Sequence, residues 1–207
     1  EQNNPHHIYT VGEHTIRSMQ YIRADKVLRL TMLLHDVAKP VCRTEDENGI
    51  HHFHGHPQVG AEMSRKILRR LKFDNDTIHR VMALVRAHDD RPPLQGRSVR
   101  RAIYRNGTGQ YPELFEVKRA DILAQSSFLQ QEKLLYVDRY EHMYQQIMEK
   151  EQCLSLKELA VNGSDLIARG IQPGKEIGEI LHQMLEKVLE EPELNEKEVL
   201  LAWYFKA

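Results

Sequence analysis

Cysteine is scarce: Cys42 and Cys153 are the only two in 207 residues. They form no CxxC pair and no even-numbered framework, which excludes a disulfide-stapled secreted module and sets a reducing, cytoplasmic compartment as the default. Long apolar runs are absent as well. None approaches the roughly 20 residues that span a bilayer, so no membrane partner is expected. The start Glu1-Gln2-Asn3-Asn4 has no signal-peptide character, and there is no initiator Met, so the chain is expected to be a piece of something longer. Charge of one sign is also lacking. A formal net charge of -1 removes a whole-molecule basic field, and any nucleic-acid contact must come from a local patch. Finally, no period-2 run of strand length occurs, which leaves helices to build the core.

The helical period is present almost everywhere. Val27, Leu30, Leu34 and Val37 form one stripe, and Gly60, Met63, Ile67 and Leu71 a second. Ile78, Val81, Val85 and His88 form a third; Leu114, Val117, Asp121, Ala124 and Phe128 a fourth. Val137, Tyr140, Tyr144 and Ile147 mark a helix beginning near Gln131, and Ile177, Leu181, Met184 and Val188 a late one. Asp74 reads as an N-cap, Pro57 and Pro173 as first-turn prolines, and Gly170 as the end of a short helix from Ser164. Pro40 is expected to stop the helix that ends at His35-Asp36. Glu45–Gly49 reads as a turn, with Ile50–Phe53 pairing weakly as a short extended piece. The expectation is an all-α bundle in two sections, residues 5–150 and a small helical appendage at 155–207.

Histidine is the outlier. Of twelve, seven lie between His35 and His88. Clustered imidazoles beside aspartates are the raw material of a transition-metal site. His35-Asp36 taken alone is weak, because two polar residues often end a helix. His88 alone reads more often as a satisfied core histidine. Both His88 and Asp121 fall on apolar stripes, however, and an unpaired buried carboxylate costs on the order of several kcal/mol. Something cationic must meet Asp121: a metal ion, or an arginine or lysine. His56, directly before Pro57, faces whatever the start of its helix faces, and Gly60 permits close packing there. His14 shares a face with Val11 and Ser18 and reads alone as exposed. His54 is a borderline candidate standing behind the others. His6, His7, His51, His52, His79, His142 and His182 carry no expected role.

The set His14, His35-Asp36, His56, His88 and Asp121 resembles the HD superfamily of metal-dependent phosphohydrolases. His35-Asp36-Val37-Ala38-Lys39-Pro40 is similar to its HDxxKP signature, Gly55–Ala61 to its second motif, and Arg86-Ala87-His88-Asp89 and Arg119-Ala120-Asp121 to the third histidine and final aspartate. The resemblance implies an HD-type helical bundle in which His14, His35, Asp36 and Asp121 hold one ion. Asp36 bridges to a second ion held by His56 and His88. Mixed imidazole and carboxylate ligands suit Mn, Fe, Co, Ni or Zn, with Mg a further candidate. Two such ions about 3.5–4 Å apart acidify a bridging water and clamp a phosphoryl oxygen. Asp36 and Lys39 are the catalytic candidates: Lys39 either neutralises phosphate charge or is a solvated helix-end lysine. The implied substrate is a nucleotide or RNA-end phosphate.

The segment Val161–Gly178, continuing to Asn195, is similar to the C-terminal helical region of bacterial tRNA nucleotidyltransferases and poly(A) polymerases. Gly163, Asp165, Gly170, Pro173 and Gly174 carry the likeness. It implies a nucleotidyltransferase head in the full-length protein and tRNA as a partner. The Gly-rich turn and paired aspartates that such a head uses are missing here, since Asp89-Asp90 has no Gly-rich context. These residues alone are therefore not expected to add CCA. Arg91, Arg97, Arg100, Arg101 and Arg105, with Lys118 and Arg119 later, form a basic stretch. Of these, Arg100, Arg101 and Arg105 are the candidates for RNA phosphate, on a helix that Ser98 is expected to cap. The plain alternative is a solvated surface helix. A second functional expectation is thus a non-catalytic tRNA-binding module.

Overall fold

A computed structural model describes residues 9–150 and 152–206. His6 and His7 lie outside the described residues, as does residue 5, where the first expected section begins. The regular structure of the described residues is almost all helical, as the periodicity requires: α1 (Val11–Ser18), α2 (Lys26–Leu34), α3 (Lys39–Cys42), α4 (His56–Arg70), α5 (Asn75–Ala87), α6 (Gly96–Asn106), α7 (Tyr111–Leu123), α8 (Gln130–Glu149), α9 (Gly163–Ala168), α10 (Lys175–Glu190) and α11 (Lys197–Lys206). Two-residue strands β1 (Thr44–Glu45) and β2 (His51–His52) pair antiparallel across the expected turn, with Thr44 opposite His52. No helix among the described residues is long and apolar enough to cross a membrane.

Local chemistry explains where these helices begin. Thr10 and Glu13 form a reciprocal capping box on α1. Asp25 accepts from the Val27 and Leu28 amides to start α2, and Asp74 from the Thr77 amide to start α5. That amide, with the Thr77 hydroxyl, holds the Asp74 carboxyl well below its ordinary range. Asn162 and Asp165 make a second capping box on α9, which ends at Gly170 with φ +93°.

Contacts divide the described chain into two compact units. One contains the residues up to Arg91 together with Thr108–Arg139; the other contains Pro92–Gly107 and the residues from Tyr140 onward. This differs from the sections at 5–150 and 155–207. The boundary falls inside α8, and α6 belongs with the C-terminal residues because it packs on α10. In the first unit α4 packs along α5, α2 on both α5 and α7, and α1 on α2 and α7. Val27, Leu28, Met32, Leu68, Val81, Leu84, Leu114 and Val117 are buried there. Gly60 faces Val85 and the His35 carbonyl, where an added methyl would sit 3.4 Å from Val85.

Several local expectations fail for identifiable reasons. Pro40 does not end α2, which has already stopped at Leu34. It sits in the first turn of α3, where a missing amide hydrogen costs nothing. Pro173 lies just outside α10, whose N-cap is Gly174. Ser98 is inside α6, and Gln95 is the N-cap without a side-chain bond. Phe128 and Leu71 fall beyond the ends of α7 and α4 and are exposed.

Arg100 also departs from expectation. It is buried in the second unit and donates to the Leu189 and Glu190 carbonyls at 2.7 and 2.9 Å, closing the C-terminal turn of α10. Its guanidinium is therefore internal and not offered to a phosphate. Arg101 pairs with Glu186 at 2.8 Å and Arg97 with Glu190 at 3.3 Å, while Arg105 is exposed. Arg100→Met is expected to destabilise the chain by about 1–3 kcal/mol in urea denaturation, because the buried Leu189 carbonyl and the part-buried Glu190 carbonyl lose their donor. Arg105→Ala is expected to change stability by less than about 0.5 kcal/mol.

At the end of α4, Lys72 takes φ +63°, and its amide and that of Phe73 bond the Arg69 and Leu68 carbonyls. This is a left-handed helix stop filled by a residue with a Cβ. Lys72→Gly is expected to raise stability by about 0.5–1 kcal/mol, read as an upward shift of the urea midpoint at constant m.

Candidate metal centre

Six side chains from five segments of the first unit converge on one buried point. His14 comes from the middle of α1. His35 is the C-cap of α2, and Asp36 follows in the turn before α3. His56 opens α4, His88 is the C-cap of α5, and Asp121 lies near the end of α7. All six are buried. His56 can take its place because Gly55, immediately before it, adopts φ +76°, a conformation that residues with a Cβ disfavour.

The distances define two overlapping groups. In the first, His14 Nε2 lies 2.9 Å from Asp121 Oδ1, 3.1 Å from His35 Nε2 and 3.6 Å from Asp36 Oδ2. His35 Nε2 lies 3.3 Å from Asp36 Oδ2 and 3.6 Å from Asp121 Oδ1. In the second, His56 Nε2 is 3.3 Å from His88 Nε2, and these two nitrogens are 3.4 and 3.8 Å from Asp36 Oδ1. Asp36 therefore faces one group with each carboxylate oxygen. The atoms of His14, His35 and Asp36 lie within 4.8 Å of one another, as do those of Asp36, His56 and His88.

The tautomers follow from the other ring nitrogen. Nδ1 of His14 faces the Ala124 carbonyl at 3.2 Å, that of His35 the Met32 carbonyl at 2.7 Å, that of His56 the Phe53 carbonyl at 2.8 Å and that of His88 the Val85 carbonyl at 2.6 Å. A carbonyl oxygen only accepts, so each Nδ1 donates and each neutral ring turns an Nε2 lone pair inward. Four inward lone pairs and two carboxylates repel one another unless protons or cations lie between them. Asp36 Oδ2 accepts no hydrogen bond of good geometry although it is fully buried. This donor set fits divalent cations with imidazole and carboxylate preferences.

The titration directions express the same frustration. Burial opposes charge on His35, but Asp36 and Asp121 overrule it and push the imidazole up to about 10. Burial and the charge on His35 push His88 down to about 4. Both aspartates stay well below the carboxylate range against the burial penalty. The neighbouring imidazoles hold both down, and at Asp36 Lys39 contributes.

Lys39 is buried with Nζ 2.8 Å from Asp36 Oδ2, which excludes the solvated reading. It also lines a cavity of about 450 Å3 over the centre, together with Phe53, His54, Arg91 and Lys133. His51 and His52, which carried no expected role, line this cavity as well, pairing with Glu45 and Asp46 respectively. His54 is exposed and stacks on His52. Arg100, Arg101 and Arg105 belong to the other unit and take no part in the centre.

Two further residues serve the centre without having been singled out for it. Gln125 donates to Asp121 Oδ2 at 2.9 Å and accepts from Lys133 Nζ at 2.8 Å; its place one turn after Asp121 is the signal that could have found it. Lys118, expected within the basic stretch, is buried. Its ammonium donates to the carbonyls of Ala87, His88 and Asp90 at 3.3, 2.7 and 2.5 Å, closing the C-terminal end of α5 beneath His88. Arg119, from the same stretch, pairs with Asp138 at 2.7 Å.

Fold and site together define an all-helical protein with a buried imidazole–carboxylate centre. Residues 44–204 match the family described as tRNA nucleotidyltransferase domain 2, and the chain belongs to that family. It is 33% identical over 191 residues to the CC-adding tRNA nucleotidyltransferase of Thermus thermophilus, covering 89% of this chain and 42% of that protein. It is 31% identical over 194 residues to the A-adding tRNA nucleotidyltransferase of Deinococcus radiodurans, covering 89% of this chain and 44% of that protein. The chain thus spans less than half the length of these curated relatives. The family match leaves out His14, His35 and Asp36, while His56, His88 and Asp121 fall within it.

Lys118→Met is expected to cost about 2–3 kcal/mol in urea denaturation, since it strips the donor from three carbonyls at the end of α5.

Proposed function

We propose that the chain is the C-terminal part of a tRNA nucleotidyltransferase-like protein of the cytoplasm, and that its first unit is an HD-type, metal-dependent phosphohydrolase acting on nucleotide or RNA-end phosphates. The observation that carries this reading is the inward set of four Nε2 atoms around Asp36, each ring fixed by a carbonyl at Nδ1. His14, His35, Asp36 and Asp121 hold one ion and Asp36, His56 and His88 a second, drawn from Mn, Fe, Co, Ni or Zn, with Mg a further candidate. Divalent ions held by these residues would supply Lewis-acid polarisation of a phosphoryl oxygen. The residues do the rest. Gln125 orients Asp121, Lys118 fixes the turn that carries His88, and Lys39 places a positive charge at the cavity floor, where a phosphate oxygen competes with Asp36 for it. The site for nucleotide addition belongs to a head outside this chain.

A second reading is favoured by the family match and by the partial coverage of its relatives. In it the chain is a tRNA-holding module whose centre is structural, with Arg105 on the exposed side of α6 among its phosphate contacts.

The two readings separate in one experiment. Elemental analysis of purified chain is expected to find divalent metal, and chelation is expected to abolish hydrolysis of 2′,3′-cyclic or monoester phosphates, with Mn, Co or Ni restoring it. His35→Ala and Asp36→Ala are each expected to lower turnover more than about a hundredfold, beyond the loss typical of residues that merely orient ligands. Metal-free protein that binds tRNA in a salt-dependent way and cleaves nothing would establish the second reading instead.

A further inference from the structure

A second cavity, of about 260 Å3, adjoins the one over the histidine–aspartate centre; both are lined by His88, Arg91, Asp121 and Lys133. Their remaining walls differ in chemistry. The first is rich in histidine and charge. The second is closed mainly by Ile122, Leu129, Val137 and the ring of Tyr136, the one phenol in its lining, with Lys118 and Glu132 as its further charged residues. A polar chamber and a largely apolar one therefore meet at a rim that carries an arginine and a lysine.

Leu129 marks the mouth of the apolar chamber. Its φ of +53° lies in the left-handed region, and its side chain is 43% exposed. A glycine would take that backbone conformation freely, so keeping a leucine there works against folding. Leu129 also opens α8, its carbonyl accepting from the Lys133 amide, so the backbone holds this apolar side chain at the lip of the cavity. Tyr136 stays protonated under burial, so its ring remains a neutral stacking surface.

We propose that the apolar chamber takes the nucleoside of a nucleoside monophosphate group, with its base against Tyr136 and Leu129, while its phosphate lies in the polar chamber. The phosphate end of this assignment rests on the proposed phosphohydrolase centre. Arg91 and Lys133 meet the phosphate at the shared rim. Lys133 uses one donor on Gln125 at 2.8 Å and Arg91 one side of its fork on Asp89 at 3.3 Å, so both keep further donors to direct there. The centre would then discriminate against base-free phosphoesters, because they leave an apolar cavity filled with water.

Calorimetric titration of the full chain with adenosine 5′-monophosphate and with ribose 5-phosphate tests this. The nucleotide is expected to bind about tenfold tighter or more, the range that base stacking on an aromatic side chain supplies. Tyr136→Ala is expected to erase that difference while leaving ribose 5-phosphate binding and metal content unchanged. Leu129→Gly, which relieves the backbone and folds at least as well, is expected to narrow it. Equal affinity for the two ligands in the unaltered chain, binding of neither, or discrimination untouched by both substitutions overturns the proposal. A chain that cleaves phosphoesters but ignores the base refutes this inference and leaves the phosphohydrolase reading standing. One that selects nucleotides yet holds no metal does the reverse. A 5′-phosphorylated oligoadenylate supplies the last comparison: tighter binding than the mononucleotide assigns the chamber to an RNA end, weaker binding to free nucleotides.

Discussion

The first unit is organised around the charge on one buried carboxylate. Asp36 lies at the centre of four imidazoles and one ammonium, and each of its oxygens faces a different pair of ring nitrogens. A carboxylate so enclosed is tolerable only if positive charge gathers on both sides. That requirement places α1, α2, α4 and α5 around the same point, and α7 delivers a second carboxylate to the same group of histidines. The helix ends contribute too. α2 and α5 both stop at the histidines they bring to the centre, and a helix C-terminus carries partial negative charge that favours a nearby cation.

Much of this was legible because a helical period says which side of a helix faces the core. His88 and Asp121 sit on apolar stripes, and a charged group on such a stripe must find a partner. His14 shares a face with Ser18, and both are buried. The partner of Asp121 was open between metal, arginine and lysine. It proves to be ringed by His14, His35 and Gln125, while the lysine that enters the centre reaches Asp36 instead.

What was not legible depends on neighbours distant in the chain. Arg100 looked like a surface cation in a basic stretch, yet it is buried against the end of α10, some ninety residues away in sequence. Lys118 looked alike and instead closes α5. No local pattern separates an arginine that faces solvent from one that faces unpaired carbonyls. The division of the chain was hidden for the same reason: α6 precedes α7 in sequence but packs on α10. Phe128 illustrates a smaller limit, since a stripe continued past the end of its helix has lost its period.

Three of the four histidines of the centre share one local device. His35, His56 and His88 each direct Nδ1 to the carbonyl three residues earlier in their own chain segment. Ring orientation and proton position are thereby set within single turns, with no partner from a distant segment. Substitutions far from these turns can then shift the spacing between the three rings without scrambling which nitrogen each one presents, so a scaffold of this kind can drift in its outer helices while keeping the same face of these imidazoles toward the centre.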